Sequence, residues 1–407
     1  MTLGRQNKIM DLIKAYDICR KKFDAHMNKF PDIASDIGAS ADGNYYIEGK
    51  RYTPLIDKWV WVASFISGMA PKFYKEEKNS NLIKWANKFK YEYHKKMFGN
   101  GMTYMHDLGF LYVPYSVELY RLTGDPMHRD DAIKAADELC KRFDIKGGYI
   151  EAWSELDGSE MNHRWMIADS AMNISLLFWA WQETGKFYYK DIAESHIKNI
   201  EKHIIREDWS VAHAFKFYED GSPKYEQNNC GFGVGSHWAR GTGWIIYGLA
   251  IASAYTGNKH YLKLSKNVLN KWIEENKNDN LIPVWDFRLP AESPAMGSGE
   301  KGKAWDWDEK DKANLAYNID TSAAAIISCA IQLINDLEPN EKLMNYSDKM
   351  LQNLCDKYLN SDIDIPGFLN HSNGNMTYTT YGDFFFIEAL AKRVHGTPVC
   401  WYQPINN

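Results

Sequence analysis

The sequence has no long apolar run, no large excess of charge of one sign and no patterned set of cysteines. None of its apolar stretches approaches the about 20 residues that a membrane-spanning helix requires, so we expect no membrane partner. Its 48 basic and 53 acidic side chains give a formal net charge of −5, which lacks the basic footprint of a nucleic-acid-binding protein. The six cysteines are scattered without a CxxC pair. Their arrangement predicts neither a disulfide framework nor a zinc site, and it favours a reducing, cytoplasmic location.

Motifs for bound cofactors are missing too. The chain contains no P-loop, no dinucleotide-binding fingerprint, no HExxH zinc motif and no GxSxG nucleophile elbow. We therefore expect neither a cofactor nor a metal. Residues 1–20 lack the apolar core of a signal peptide and place their apolar side chains at helical spacing, which predicts a helix of the mature protein.

Aromatic side chains, by contrast, are abundant: 15 Trp, 25 Tyr and 18 Phe among 407 residues. With 45% hydrophobic residues the chain can build a large core, which excludes a disordered or low-complexity protein. The rings exceed what such a core needs, so we expect some of them to line a surface.

A repeated turn organises the chain. The pattern Thr-Gly-polar ends one amphipathic stretch and begins another at Gly124, Gly185 and Gly257. Glycine is the expected left-handed residue after a helix, so each site predicts a helix–turn–helix unit. Weaker turns lie at 338–340 and 76–80, and the last helical stretch ends at Gly396.

These units predict an all-α protein with six helical hairpins. No hairpin can bury its own apolar face, and six of them close into a toroid of inner and outer helices, an (α/α)6 barrel spanning residues 1–407 as one domain. An open solenoid is the alternative. In a closed barrel the starts of the inner helices share one rim. Counting back one helix length from each turn puts five residues at that rim: Trp59, Asp107, Asp169, Arg240 and Asp320.

Asp107 and Asp169 lie in strongly apolar segments. Burial raises the pKa of a carboxyl group, and a second carboxylate nearby raises one pKa of the pair further, which is the property a general acid needs near neutral pH. The alternative is helix capping, a common role of aspartate at a helix start.

The densest local pattern is HWARGTGW at 237–244, where Trp238 and Trp244 flank Arg240. A guanidinium group between aromatic faces suits a ligand that carries a carboxylate and a flat ring. The alternative is a buried Arg–Asp pair that braces the inner helices. His213 is a single histidine in a loop-like stretch, where a structural role is more common than a catalytic one.

Residues 290–318 form a polar Gly/Ser/Lys stretch that contains Trp305 and Trp307. Long ordered loops in compact domains are usually functional, so we expect a lid or an insertion there. Together, the residues predict an aromatic-lined cavity with paired carboxylates and an arginine, which suits an acidic sugar.

At these residues the chain resembles glycoside hydrolase family 88, the unsaturated glucuronyl hydrolases. The matching motifs follow the family order: HDLGFLY at 106–112, R-x-x-I-x-D-x-x-x-N at 164–173, H-x-F-x-F at 213–217, W-A-R-G-x-x-W at 238–244, D-x-S-A-A-A at 320–325, and NHS followed by YGDFFFIEAL near the C terminus.

The resemblance implies an (α/α)6 barrel that removes a 4,5-unsaturated uronic acid from small oligosaccharides left by polysaccharide lyases. Such enzymes hydrate the C4=C5 vinyl ether instead of displacing at the anomeric carbon. By position, Asp169 is the implied general acid and base, and Asp107 the second essential carboxylate. The resemblance also implies a set of residues that bind the uronate: Trp59, His213, Trp238, Arg240 and Trp244.

Three alternatives remain at this point. A related unsaturated rhamnogalacturonyl hydrolase has the same barrel and chemistry but a pectin-derived substrate. A sugar epimerase or isomerase on the same barrel typically depends on paired histidines at the rim, where this chain has Asp107, Asp169, Arg240 and Asp320. A non-catalytic protein that binds acidic sugars needs no carboxylate pair, and burying two carboxylates without a function is costly.

Overall fold

The computed structural model describes residues 3–32, 34–45, 53–99, 104–155, 164–288, 318–373 and 378–404. Helices dominate these ranges. The α-helices are α1 (Leu3–His26), α2 (Ala63–Ser67), α3 (Met69–Glu77), α4 (Ser80–Ala86), α5 (Lys90–Phe98), α6 (Leu108–Tyr112), α7 (Glu118–Thr123), α8 (Pro126–Lys141), α9 (Ser170–Asn173), α10 (Ser175–Thr184), α11 (Phe187–Asn199), α12 (Ala239–Thr256), α13 (Lys259–Glu275), α14 (Thr321–Leu337), α15 (Glu341–Lys357) and α16 (Thr380–His395). One-turn π-helices, Val113–Val117 and Ile200–Ile204, join α6 to α7 and extend α11, while 3-10 turns lie at Met27–Lys29 and Asn87–Phe89.

The helices form a closed double ring. The inner ring consists of α2–α3, α6–α7, α9–α10, α12, α14 and α16, and the first five of these are followed by outer helices α4–α5, α8, α11, α13 and α15. The sixth inner helix, α16, packs against α1 from the other end of the chain, and α16 also packs against α2 and α3, which closes the ring. The predicted (α/α)6 barrel is confirmed, and the open solenoid is excluded.

The predicted Thr-Gly turns are built alike. Gly124, Gly185 and Gly257 have φ values of 70°, 71° and 69°, a left-handed backbone that favours glycine. In each turn the preceding threonine hydroxyl donates to the carbonyl four residues earlier and accepts the N–H two residues later. The repeat in the sequence is therefore a repeat of one local structure.

The core lies between the two rings. Helices α12 and α14 are buried along most of their length because each packs against an outer helix and against its neighbours in the inner ring. Outer helices such as α13 and α15 bury one face only. Within the described ranges, no helix combines the length and apolar character needed to cross a bilayer.

The strands are short and lie in the connections. They are β1 (Ser35–Asp36), β2 (Ala39–Ser40), β3 (Thr53–Pro54), β4 (Phe143–Asp144), β5 (Tyr149–Ile150), β6 (Trp165–Ile167), β7 (Ala214–Phe217), β8 (Pro223–Gln227) and β9 (Tyr378–Thr379). The pairs β1–β3, β2–β9 and β4–β5 are antiparallel, and β6–β7–β8 form an antiparallel three-stranded sheet. This sheet was not foreseen from the sequence. It leads directly into the start of α9, where the site lies.

A buried carboxylate anchors the segment that follows α16. Glu388 accepts hydrogen bonds from the Tyr247 hydroxyl, the Cys400 N–H and the Trp401 indole N–H, each at 3.0 Å. It also pairs with Lys72, which is equally buried. Trp401 stacks on Phe385 with ring centroids 5.7 Å apart. The end of the described chain is thus part of the interior of the barrel.

Candidate active site

Asp107 and Asp169 precede the first residues of α6 and α9, two neighbouring inner helices. Both occupy the N-cap position, yet neither side chain makes a capping hydrogen bond. Asp320, at the start of α14, behaves differently and accepts the N–H of Ala323 at 3.1 Å. Capping therefore describes Asp320 but not Asp107 or Asp169.

One amide joins the two aspartates. The Asn173 Nδ2 atom donates to Asp107 Oδ1 at 2.9 Å and to the backbone oxygen of Asp169 at 3.2 Å. Its Oδ1 atom accepts the N–H of Phe110 at 2.8 Å, which fixes the orientation of the amide. Our reading of the sequence did not single out Asn173 as a site residue, although it is the last residue of the R-x-x-I-x-D-x-x-x-N motif.

The electrostatics favour a proton on this pair near neutral pH. Burial, followed by the charge of Asp169, raises the pKa of Asp107 to about 8, against the opposing effects of Asn173 and Arg142. His106 Nε2 lies 3.4 Å from Asp107 Oδ1. Burial holds the pKa of this histidine well below its usual value, so the ring is neutral and does not cancel the effect.

Asp169 faces His213. Its Oδ2 atom is buried without a hydrogen-bond partner among the described residues and lies 3.6 Å from His213 Nε2. The Nδ1 atom of the same imidazole accepts the N–H groups of Asn229 at 2.9 Å and Cys230 at 3.3 Å. Because Nδ1 accepts, the ring proton is assigned to Nε2, on the side of the carboxylate.

Arg240 lies between two aromatic rings, with its guanidinium carbon 4.7 Å from the Trp238 ring centre and 5.0 Å from that of Tyr381. Its Nη1 atom donates to Asp320 Oδ2 at 2.8 Å and to Asn373 Oδ1 at 2.9 Å. The buried Arg–Asp pair weighed as an alternative is therefore present. Among the described residues the hydrogen bonds of this guanidinium run through Nη1 alone, which leaves Nε and Nη2 for a ligand.

The tryptophans expected in the site occupy different depths. Trp238 packs edge-on against the His213 ring at 5.0 Å, and His213 in turn faces Asp169. Trp59 is half-exposed and lies 4.4 Å from the Tyr104 ring, at the outer edge. Trp244 differs from the prediction, because it has no exposed surface and packs between core phenylalanines at 5.1 and 5.2 Å. In this structure Trp244 is therefore a core residue and does not line the site.

Two further aromatic residues lie at the site. Tyr381 adjoins Arg240, and Trp61 stacks on Tyr381 at 5.5 Å with an interplanar angle of 25°. Tyr381 begins the YGDFFFIEAL motif, and Trp61 lies two residues after Trp59. Both residues therefore lie in or near segments that the sequence already marked. Only the closed ring, however, brings the start of α2 next to the start of α16.

The expected lid at 290–318 lies outside the described residues except for Asn318. Trp305 and Trp307 also lie outside them. Within the described ranges, no cluster of three or more His, Cys, Asp or Glu side chains is arranged to hold a metal ion.

Comparisons with known proteins give concordant matches, although no protein-family model matches the chain. An unsaturated chondroitin disaccharide hydrolase of Streptococcus pyogenes serotype M1 is 32% identical over 302 residues, covering 70% of this chain and 69% of that protein. The solved unsaturated glucuronyl hydrolase of Bacillus sp. GL1, responsible for the degradation of glycosaminoglycan, has a TM-score of 0.79 at 25% identity and covers 97% of this chain and 99% of that one. A UGL variant with an aspartate-to-asparagine substitution and dGlcA-Glc-Rha-Glc also has a TM-score of 0.79 at 25% identity, covering 98% of both chains.

Proposed function

The chain belongs to the unsaturated glucuronyl hydrolases of glycoside hydrolase family 88, and we propose that it removes a 4,5-unsaturated glucuronic acid from the non-reducing end of small lyase-generated oligosaccharides. One observation carries this proposal: Asp107 and Asp169 share the Asn173 amide, and Asp107 has a pKa raised to about 8 by burial and by the charge of Asp169. A carboxylate pair that keeps a proton near neutral pH suits acid-catalysed hydration of an enol ether.

We assign the proton transfer to Asp169. Its side chain is 14% exposed against 7% for Asp107, and its Oδ2 atom has no hydrogen-bond partner among the described residues. In the proposed step the carboxyl group of Asp169 protonates C4, which leaves positive charge on C5 and the ring oxygen. The resulting carboxylate then takes a proton from the water that adds to C5.

The remaining steps need no further protein group. The hemiketal at C5 opens to a ketone as the bond from C5 to the ring oxygen breaks, and this leaves a hydroxyl group on C1. The hemiacetal so formed at C1 expels the rest of the oligosaccharide as an alcohol. No covalent glycosyl-enzyme intermediate arises, in contrast to retaining glycosidases.

Asp107 acts on this reaction through charge and position. The two carboxyl groups are coupled, because burial and the charge of Asp169 raise the pKa of Asp107 and two nearby carboxylates do not both ionise freely. The Asn173 amide holds Asp107 in place, so its carboxyl group can accept or donate to a ring hydroxyl of the substrate.

The uronate is expected to bind between aromatic faces. The conjugated double bond keeps part of its ring planar, which suits stacking on Trp238 or Trp61, and Trp59 lies further out. The substrate carboxylate has two nearby donors, His213 Nε2 and the uncommitted nitrogens of Arg240.

The test mixes the purified protein with each member of a panel of unsaturated disaccharides and measures the loss of ultraviolet absorbance from the conjugated double bond. Products of chondroitin, heparin, gellan and pectin lyases cover the substrate classes. Turnover of the glucuronyl disaccharides supports the proposal, and turnover of the pectin product alone assigns the rhamnogalacturonyl activity instead. If the absorbance stays constant with every disaccharide of the panel, both the glucuronyl and the rhamnogalacturonyl hydrolase activities are contradicted. An isomerase or a binding protein leaves the double bond intact.

We also propose that residues 1–407 form one barrel domain in the cytoplasm. All six cysteines are free thiols, which is consistent with a reducing compartment.

A further inference from the structure

A row of side chains crosses the three-stranded sheet beside the site. Trp165 on β6 pairs with Lys216 on β7, and Lys216 pairs with Tyr225 on β8. Residues that pair directly across antiparallel strands project from the same face of a sheet. All three side chains are half-buried, so the row forms a platform that is partly open to solvent.

The platform continues the wall of the site. Strand β6 ends two residues before Asp169, and β7 begins directly after His213. The Trp165 ring lies 5.8 Å from that of Trp153, and Trp153 in turn bridges to Met105, close to Asp107. Lys216 lies two residues further along β7 than Ala214. This spacing places Lys216 about 7 Å further from the catalytic groups than Ala214. The row therefore lies one side-chain step along the strands from the pair Ile167–Ala214, on the side away from the carboxylates.

Lys216 has no anionic partner among the residues that the structure describes. Its ammonium group lies 5.8 Å from the centre of the Trp165 ring, and it makes no ion pair or hydrogen bond within the described residues. Arg206, which lies beside the sheet, is by contrast paired with Glu226 at 2.6 Å. A half-buried lysine that keeps no acidic neighbour is available to an anionic ligand.

A second lysine–tryptophan pair shows the contrast. Lys190 on α11 lies 5.0 Å from the centre of the Trp181 ring, but its ammonium group also has Glu194 at 3.9 Å. Both lysines lie near a tryptophan ring, and within the described ranges only Lys190 also has a carboxylate beside it.

We propose that Trp165 and Lys216 form a subsite for the leaving sugar, in which Lys216 binds an anionic substituent, either a sulfate ester or a carboxylate. This inference rests on the proposed function. The indole face accepts the apolar side of a sugar ring, and the ammonium group reaches a substituent at the edge of that ring. The subsite makes the enzyme select substrates by the charge of the part that it releases.

The experiment compares Lys216→Gln with the wild-type protein on two unsaturated disaccharides that differ in one sulfate group. The KM for the sulfated disaccharide is expected to rise about tenfold, as for the loss of a hydrogen bond to a charged group, with kcat unchanged. The KM for the unsulfated one stays the same. Lys216→Arg retains the charge and is expected to retain most of the preference. Lys190→Gln, the matched control, alters neither KM.

A third substrate separates the two anions. An unsaturated tetrasaccharide without sulfate, whose added anion is a uronate, reports on a carboxylate ligand. A rise in KM on the sulfated disaccharide alone assigns the sulfate, and a rise on the tetrasaccharide alone assigns the carboxylate. Equal changes on all three substrates, or no change on any, overturn the subsite. If the wild-type protein turns over none of them, the proposed function itself fails.

Discussion

His213 directs its Nε2 atom at Asp169 Oδ2 across 3.6 Å. The ring cannot turn around without losing the N–H groups that its Nδ1 atom accepts from Asn229 and Cys230. The loop after β8 thus sets the orientation of the His213 ring, which lies directly before β7 and faces Asp169 at the start of α9. A donor held at this distance can serve the carboxylate of Asp169 or that of a bound uronate.

Replacing the proposed acid removes the chemistry and spares binding. Asp169→Asn is nearly isosteric, and it leaves the Asn173 contact to the backbone oxygen of residue 169 in place. We expect kcat to fall about a thousandfold, within the usual contribution of general acid–base catalysis, with little change in KM. Loss of substrate absorbance measures kcat, and equilibrium dialysis measures binding. A variant that keeps a tenth of the wild-type kcat contradicts the assignment.

The pH dependence of kcat reports the retained proton. Burial and the charge of Asp169 raise the pKa of Asp107 to about 8, so we expect kcat to fall as the pH rises through about 8. Asp107→Asn removes the group whose pKa is raised. The fall of kcat above about pH 8 should then disappear, along with most of the activity. A profile that remains flat to well above pH 8 in the wild-type protein argues against a shared proton.

The same proton affects stability. The pKa of Asp107 in the folded protein, about 8, lies above the ordinary value of about 4 for an unfolded chain. The folded state therefore binds a proton that the unfolded state releases between these values, and its contribution to stability falls as the pH rises from about 4 to about 8. We expect Asp107→Asn to be less sensitive to pH in urea unfolding over this window. An identical pH dependence in the two proteins contradicts the raised pKa.

Asn173 is a positioning residue whose loss should move the pH profile. Asn173→Ala removes the donor that lowers the pKa of Asp107, so the alkaline limb should shift to higher pH. Loss of the fixed geometry is expected to reduce kcat/KM about ten- to a hundredfold. Asn353→Ala is a matched control, because Asn353 donates to the Asn280 carbonyl at 2.7 Å on an outer helix. Asn353→Ala should leave the pH profile of the activity unchanged. If Asn173 had a purely structural role, Asn173→Ala would leave the pH profile unchanged as well.

The buried pair of Lys72 and Glu388 predicts a large stability effect. Glu388→Gln leaves the Lys72 ammonium group without its carboxylate in the interior, which costs about 3 to 5 kcal/mol of unfolding free energy. Glu338→Gln breaks an exposed pair with Lys266 and is expected to cost less than about 1 kcal/mol. Urea unfolding measures both. Equal costs in the two variants contradict a network that ties the segment after α16 into the core.

Local signals explain why much of the fold was predictable. The three Thr-Gly turns depend on contacts within about six residues, so the pattern that predicts them is complete in the sequence. The rim positions of Asp107, Asp169 and Arg240 follow from counting along single helices. The sheet around His213 was missed because its strands have three to five residues each and because β6 pairs with a strand some 50 residues further along the chain.

The sequence by itself determined the helices, their turns, the order of the motifs and the family resemblance, since each depends on residues that are near neighbours along the chain. Only the tertiary structure decided which groups meet. It paired α1 with α16, linked Asp107 to Asp169 through Asn173, tied Arg240 to Asp320, and moved Trp244 from the expected ligand surface into the core. The physical reason is that burial and long-range hydrogen bonds arise from the closed ring as a whole, and no local pattern specifies how that ring packs.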